Sequence, residues 1–256
     1  ISLGLVGSEM CIRDSNKRYS QILSMKALYW MGCVTSLIHP EIGASTIRVL
    51  KALNVDFEYL GEKEPCCGDL LFLLGFEKEA RECAKKNFEL IEETGCDVLL
   101  TGCAGCYHAF AKLYPEHGIE LPVPVLHLSQ FLAKLLDEGK LSFKKELPMK
   151  ATYHDPCELG RECEVYDEPR RVLKAIPSFE LVELPYNRED CTCCGAGGGV
   201  YAYIPNLAIE SAREKLVKEV VPLGVEALVT ACPNCYHAFK LAAEREGANL
   251  EVLDIA

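Results

Sequence analysis

No run in this 256-residue sequence approaches the roughly 20 consecutive apolar residues that cross a bilayer. The N-terminus also lacks a charged segment followed by a full apolar region, so no secretory leader is read there. Basic charge is scarce. Lysine and arginine total 27 against 38 aspartates and glutamates, giving a net charge of -11, a pI near 5.1 and no basic stripe. That balance argues against nucleic-acid binding. Two cofactor signatures are missing as well: a G-x-G-x-x-G dinucleotide fingerprint and a C-x₂-C-x₂-C-x₃-C-P ferredoxin run. The expectation is a soluble, cytoplasmic chain without a membrane span. In such a compartment dense thiols serve as metal ligands or redox groups rather than as disulfides.

What the sequence does have is 15 cysteines, ten of which form one five-membered pattern twice. The first set is Cys33, the adjacent pair Cys66-Cys67, then Cys103 and Cys106 as C-A-G-C. The second is Cys157, the pair Cys193-Cys194, then Cys232 and Cys235 as C-P-N-C. Equivalent positions lie 124, 127, 127, 129 and 129 residues apart. The flanks repeat too, P-C-C-G-D answering C-C-G-A-G and T-G-C-A-G-C-Y-H-A-F answering T-A-C-P-N-C-Y-H-A-F. Two tandem copies of one metal- or redox-active module account for this. With 49% apolar residues the chain can bury two cores of about 110–120 residues each.

Ile1 to Ser15 resembles a translated sequencing-adapter remnant, and Met25 is the candidate start. Residues 1–24 are therefore read as a non-native or disordered leader, and Cys11 is set aside. The expected domains cover 25–138 and 149–256. The lysine-rich, proline-closed stretch 139–148 links them, and the closing helix of the second is expected to be missing.

In the first repeat the apolar runs Ala27–Trp30, Phe57–Leu60, Val98–Leu100 and Val123–Leu126 read as strands. Helices follow Cys33 (Ile47, Leu50 and Leu53 on one face), the Cys66-Cys67 pair (Ala80, Cys83, Ala84, Phe88 and Ile91) and Cys103, and Ser129–Leu136 closes the unit. The second repeat gives strands at Ala151–Tyr153, Leu181–Leu184 and Ala227–Val229, with a helix around Leu207–Val220. Alternating β and α elements predict an α/β fold of two tandem Rossmann-like domains with parallel sheets. Every repeated cysteine then falls at the C-terminal strand edge, where such sheets bind ligands.

Structural zinc takes four tetrahedral ligands, so five thiolates overfill it. Neighbouring side chains on a strand point apart, so each adjacent cysteine pair converges only on a turn. Gly68 and Gly195 supply that turn, and Gly197-Gly198-Gly199 lets backbone approach a bulky group. Iron–sulfur clusters, being multinuclear, can use five thiolates, some bridging. Iron–sulfur is the favoured reading, with zinc and a metal-free thiol redox protein as alternatives.

The patterns C-x₃₂-C-C-x₃₅-C-x₂-C and C-x₃₅-C-C-x₃₇-C-x₂-C resemble the cysteine-rich CCG domain, and the doubled form is similar to the B subunit of heterodisulfide reductase. This resemblance covers Met25–Ala256. It implies two non-cubane [4Fe-4S] clusters, one held by Cys33, Cys66, Cys67, Cys103 and Cys106, the other by Cys157, Cys193, Cys194, Cys232 and Cys235. It further implies reduction of a small-molecule disulfide between the clusters, each giving one electron. The electrons would come from other subunits, and the partners the resemblance implies are a ferredoxin-like C subunit and a flavin-bearing A subunit. An electron-transfer subunit of a hydroxyacid or glycerol-3-phosphate oxidoreductase is the rival reading within the family, and a zinc-stabilised structural module the rival outside it.

Among the remaining residues, His108 and His237 sit two positions beyond each C-x-x-C, and His154 stands where the first repeat has Trp30. All three are proton-donor candidates, set against plain packing. His39, His117 and His127 have no counterpart and read as packing residues. Cys83, Cys96 and Cys163 read as small core residues, the last in a helix-like stretch. Cys191 in C-T-C-C is a spare ligand, a redox partner or a neutral loop residue. Arg161, Arg170 and Arg171 either receive an anionic substrate or line a solvated helix face.

Overall fold

The computed structural model describes residues 25–256, so the reading of residues 1–24, with Cys11, lies outside the described residues. Two four-stranded parallel sheets follow one another along the chain. The first is built from β1 (Ala27–Trp30), β2 (Phe57–Glu58), β3 (Val98–Thr101) and β4 (Val125–His127) in the order β2-β1-β3-β4. The second is built from β5 (Met149–His154), β6 (Phe179–Val182), β7 (Ala227–Thr230) and β8 (Glu251–Asp254) in the order β6-β5-β7-β8. Register repeats with topology. Ala27 pairs with Phe57 and Val98, and Ala151, its counterpart, pairs with Leu181 and Ala227.

The central strands β1, β3 and β7 are buried at every position, as expected where helices cover both faces of a parallel sheet. The expected strand Phe57–Leu60 shortens to two residues because Leu60 already leads into a 3₁₀ turn at Gly61–Lys63. Helices fill the connections: α1 (Cys33–Leu37), α2 (Pro40–Ala52), α3 (Asp69–Leu73), α4 (Glu77–Thr94), α5 (Ala104–His108) and α6 (Leu128–Asp137) in the first half. The second half has α7 (Asp167–Lys174), α8 (Val200–Tyr203), α9 (Pro205–Lys215) and α10 (Pro233–Glu246). Helix α4 buries Ala80, Ala84, Asn87 and Ile91 along one stripe and ends on Gly95 in the left-handed region. Both α5 and α9 run on into a π-helical turn, at Ala109–Leu113 and Leu216–Val220. Residues 139–148 are irregular and join α6 to β5.

The two halves share their apolar interior. Ala104 and Tyr107 of the first half pack in the core of the second, and Val172 of α7 packs in the core around β1 and β3. A third cluster centres on Trp30, whose ring meets Phe110 edge-on at 4.9 Å. Burying side chains of this size contributes roughly 1.5–3 kcal/mol each. Among the described residues no helix is long and apolar enough to cross a membrane.

Candidate metal centre

In each sheet the chain leaves the two central strands toward opposite sides, which opens a crevice at their C-terminal ends. The cysteines enter from six segments, three in each half. Cys33 begins α1 just after β1, and Cys103 caps α5 just after β3, with Cys106 one turn on. Cys232 caps α10 after β7, with Cys235 one turn on. Cys157 follows β5 in a run of turns that also contains Cys163, so the expected helix there is absent; the local chain bends at Pro156 and Gly160 instead. The adjacent pairs lie on turns closed by Gly68 and Gly195 at φ 83° and 81°, a conformation L side chains rarely adopt. Gly32 allows close approach of backbone to sulfur, since a Cβ there would stand 3.1 Å from the Cys106 Sγ.

The ten thiols form one continuous string of contacts. In the first half the thiols interact in the order Cys33–Cys66–Cys67–Cys106–Cys103. In the second they run Cys157–Cys193–Cys194–Cys235–Cys232, with Cys194 and Cys235 sulfurs 3.2 Å apart. A contact between Cys103 and Cys232 joins the two quintets. Four thiolates about 2.3 Å from one zinc would all stand roughly 3.8 Å from one another. Among the described residues, the one group of donors lying within 4.8 Å of each other is His154, Cys194 and Cys235. The strung-out donor sets therefore suit a multinuclear group better than a single tetrahedral ion.

Charge is distributed alike in the two adjacent pairs. Hydrogen bonds from Cys33, then Cys67, hold the Cys66 thiol down at about 2, aided by the Gly68 amide at 3.4 Å. Cys157, then Cys194, with the Gly195 amide at 3.3 Å, do the same for Cys193. The first cysteine of each adjacent pair is thus a ready thiolate, the form that binds metal. At the junction the hydrogen bond with Cys103 pushes Cys232 up to about 12.

The three histidine candidates occupy different settings. His108 is buried, with Nδ1 2.9 Å from Asp69 Oδ1. His237 borders the crevice, and its Nδ1 meets Nε2 of His39 at 2.9 Å, while His39 Nδ1 reaches Glu41 at 3.1 Å. Burial, then the neighbouring His39, lowers His237. His154 is fully buried against Phe239 and pushed down to about 3 by that burial and by Lys215, so its ring is neutral at ordinary pH. Its Nδ1 lies 3.5 Å from the Cys191 sulfur.

Several residues depart from the sequence reading. His39, read as packing, bridges the halves through His237. Cys191 is buried beside Lys215, whose ammonium donates to Thr192 and pairs with Glu219 at 2.7 Å. Arg170 neither faces solvent nor awaits an anion: its guanidinium grips Asp155 through two hydrogen bonds at 2.6 and 2.8 Å and also pairs with Glu183. Arg161 donates to the Cys191 carbonyl, and Arg171 pairs with Asp137. Cys83 is half-buried rather than a core residue, its thiol donating to the Cys66 carbonyl at 3.1 Å, whereas Cys96 is buried as expected. Asp69 and Glu158 are hydrogen-bonded across the junction; a Cβ on Gly105 would stand 2.9 Å from Glu158 Oε2 and 3.3 Å from Asp69 Oδ2. Burial, then Asp69, pushes Glu158 up to about 9. The only sequence signal for these carboxyls is position, since Asp69 closes C-C-G-D and Glu158 follows Cys157.

Above the string lies a cavity of about 260 Å³ lined by both halves. Five first-half thiols border it, together with Asp69, Glu158, the Gly197–Gly199 run and His237.

The cysteine-rich CCG domain matches twice, at residues 27–111 and 151–240. The chain is 39% identical over 232 residues to the D subunit of dihydromethanophenazine:CoB–CoM heterodisulfide reductase from Methanosarcina acetivorans, covering 89% of this chain and 56% of that protein. It is 35% identical to the B subunit of the CoM/CoB fumarate reductase from Methanothermobacter marburgensis, over 89% of this chain and 46% of that one. It is also 35% identical to the EtfAB:quinone oxidoreductase of Syntrophomonas wolfei, over 90% of this chain and 33% of that protein. The chain spans about half the length of the heterodisulfide reductase relatives it matches. With its cysteine pattern doubled on two matching sheets, the chain belongs to the cysteine-rich CCG domain family.

Proposed function

We propose that this chain is an iron–sulfur subunit of a heterodisulfide reductase-like complex, reducing a disulfide to two thiols. The reading rests on one observation: two thiol quintets converge, touch at Cys103 and Cys232, and share a cavity lined from both sides. Each quintet would hold one non-cubane [4Fe-4S] cluster, within domains spanning 25–138 and 149–256. Bound there, the clusters would supply electrons one at a time. The reaction balances as R–S–S–R′ plus two electrons and two protons giving RSH and R′SH. These 256 residues carry neither a ferredoxin run nor a dinucleotide fingerprint, and the electrons would reach the two quintets from outside them. The partners would be a ferredoxin-like C subunit and a flavin-bearing A subunit.

The protein's own residues would orient and shield this chemistry. Gly32 and Gly105 let backbone lie against the thiols and the carboxyl pair. The Gly68 and Gly195 amides steady the thiolates of Cys66 and Cys193. His237, with His39 and Glu41 behind it, leads from the cavity toward the surface, and His108 is oriented by Asp69. Among the relatives, the D subunit of a heterodisulfide reductase supports the disulfide reading.

Anaerobic purification followed by iron, sulfide and zinc analysis tests the cofactor, with about eight irons per chain expected for two such clusters. Disulfide-dependent oxidation of a reduced viologen tests the reaction. Zinc at one per quintet without iron would overturn the cofactor reading. Full iron content with no disulfide-dependent oxidation would leave the electron-transfer role in a hydroxyacid or glycerol-3-phosphate oxidoreductase.

A further inference from the structure

The two quintets differ less in their thiols than in what stands behind them. The chain enters the second adjacent pair through Cys191 and Thr192, and two cations close on that segment. Lys215 Nζ donates to Thr192 Oγ1 at 2.8 Å and lies 3.7 Å from Cys191 Sγ. Arg161 donates to the Cys191 carbonyl at 2.6 Å. The first half has no cation at either matching place. Leu37 stands four residues after Cys33 as Arg161 does after Cys157. Asn87 follows Ala80 and Ala84 on its helix as Lys215 follows Ala208 and Ala212.

Lys215 is the drier of the two cations, with 2% of its side chain exposed. From its ammonium a short run of contacts leads to the quintet. Cys191 Sγ lies 3.5 Å from His154 Nδ1, and His154 offers a donor atom within 4.8 Å of the Cys194 and Cys235 sulfurs. Lys215 and Cys193 also border one small cavity, of about 270 Å³, which shares no lining residue with the cavity over the thiol string. Glu219 is the counter-ion, its Oε2 2.7 Å from Nζ and its Oε1 accepting from Thr192 at 2.7 Å. The pair is thus a dipole, and the ammonium is the end that touches Cys191. A buried positive charge favours any neighbouring group that takes up an electron, and little water reaches it to screen that attraction.

Building on the cluster reading above, we propose that Lys215 sets the order in which the two sites are reduced: the group held by the second quintet accepts an electron at a higher potential than the group held by the first. A one-electron donor such as a reduced viologen loses its electron, and that electron comes to rest beside Cys193 and Cys194. The first quintet fills second. Lys215 keeps its protons throughout and acts only through its charge. A disulfide held between the quintets would then face a defined order of reduction, set by one side chain.

The test is a potentiometric titration of the iron-loaded full chain, kept anaerobic and followed by EPR and visible absorption. Cys66→Ser and Cys193→Ser each perturb one quintet and so assign the two signals. The wild type should reduce in two steps, the upper one from the second quintet. The steps should differ by at least about tenfold in equilibrium constant, or 59 mV for one electron. Removing Lys215 alone would strand Glu219, so the charge is removed as a pair, Lys215→Met with Glu219→Leu, an exchange that buried ion pairs commonly tolerate. The upper step should fall by at least about tenfold and the lower should stay within about twofold. Lys215→Gln with Glu219→Gln, which keeps partners for Thr192 without charge, should give the same fall. Lys215→Arg should restore most of the gap. Iron and sulfide content on every sample separates a shifted potential from a lost cluster. An unchanged gap in an uncharged variant at full iron content overturns the proposal, as does an upper step that belongs to the first quintet. These midpoints are read without any disulfide. If they behave as stated but no disulfide reoxidises the protein, the disulfide reading fails and the order of reduction stands; zinc in place of iron overturns both.

Discussion

The two halves keep the same strands, register and thiols, yet they support those thiols by opposite means. In the first half the Cys66-Cys67 turn is pinned by neutral groups: the Asn87 amide donates to the Cys66 carbonyl at 2.9 Å, and Tyr114 donates to the Cys67 carbonyl at 2.8 Å. Lys215 occupies the helix position matching Asn87, buried after Ala208 and Ala212 as Asn87 is after Ala80 and Ala84. Its ammonium holds the second turn through Thr192, with Glu219 as counter-ion. Behind the central strands the contrast repeats. Tyr29 hydrogen-bonds Thr46 in the first half, whereas the equivalent Tyr153 lies under the Arg170 guanidinium at 5.2 Å, with Asp155 standing where the first half has Met31. Duplication has preserved the ligand set and let the electrostatics around it diverge, so the two thiol quintets sit in unlike fields.

The largest expected difference lies in that buried ion network. Arg170 and Asp155 are 3% and 2% exposed, and removing one partner leaves the other as an uncompensated charge. Arg170→Ala should cost about 3–5 kcal/mol in a urea or guanidinium unfolding curve. Thr46→Ala at the equivalent site removes one neutral hydrogen bond and should cost about 1 kcal/mol. Similar losses for the two variants would contradict the asymmetry.

The paired strand ends give a second contrast, one that reverses with pH. His127 closes β4 opposite Thr101, and Asp254 closes β8 opposite Thr230. Burial pushes His127 down from 6.5 to about 4 and Asp254 up from 3.8 to about 7. For His127 the folded state binds its proton less readily than the unfolded chain does, so its contribution is complete above pH 6.5 and is lost as pH falls toward 4. For Asp254 the folded state favours the proton, so its contribution is complete below pH 3.8 and is lost as pH rises toward 7. Each changes stability by at most about 1.4 kcal/mol per pH unit, and the two oppose each other across the same window. Melting temperatures of the wild type should therefore vary little there from these two groups. His127→Gln should make stability fall with rising pH, and Asp254→Asn should make it rise. Matching slopes in the two variants would contradict the assignment.

What the sequence disclosed and what it hid divides along a physical line. Strands, helices and cysteine placement follow from short-range periodicity and from the repeat. Ala27–Trp30 and the helix through Ala80, Ala84 and Ile91 were accordingly legible within a residue or two. The family was legible because five spacings recur together. Contacts made only when one half meets the other were not: His39 with His237, Asp69 with Glu158, Cys103 with Cys232. A repeat specifies what each copy does within itself and says little about the face between copies. Arg170 was misread for a related reason, since its partners Asp155 and Glu183 lie just past the ends of the neighbouring strands β5 and β6, which only the folded sheet brings together.

The next residue gives the finest test of the contrast between buried and exposed charge. Arg171 follows Arg170 on α7 but turns outward, pairing with Asp137 and reaching the Ala133 carbonyl at 3.4 Å, so it joins α7 to α6 across the two halves. Its side chain and that of Asp137 are 45% and 59% exposed, which leaves water to solvate either charge once the other is gone. Arg171→Ala should therefore cost only about 0.2–1 kcal/mol, and added salt should shrink even that. The loss in Arg170→Ala should be nearly insensitive to salt, because its penalty is desolvation of a stranded carboxylate rather than screened attraction. Two adjacent arginines of one chemical type thus differ severalfold in weight because the helix points one into the sheet and the other across the seam. A salt-insensitive loss of several kcal/mol at Arg171 would mean that the junction between the halves is drier than these exposures imply.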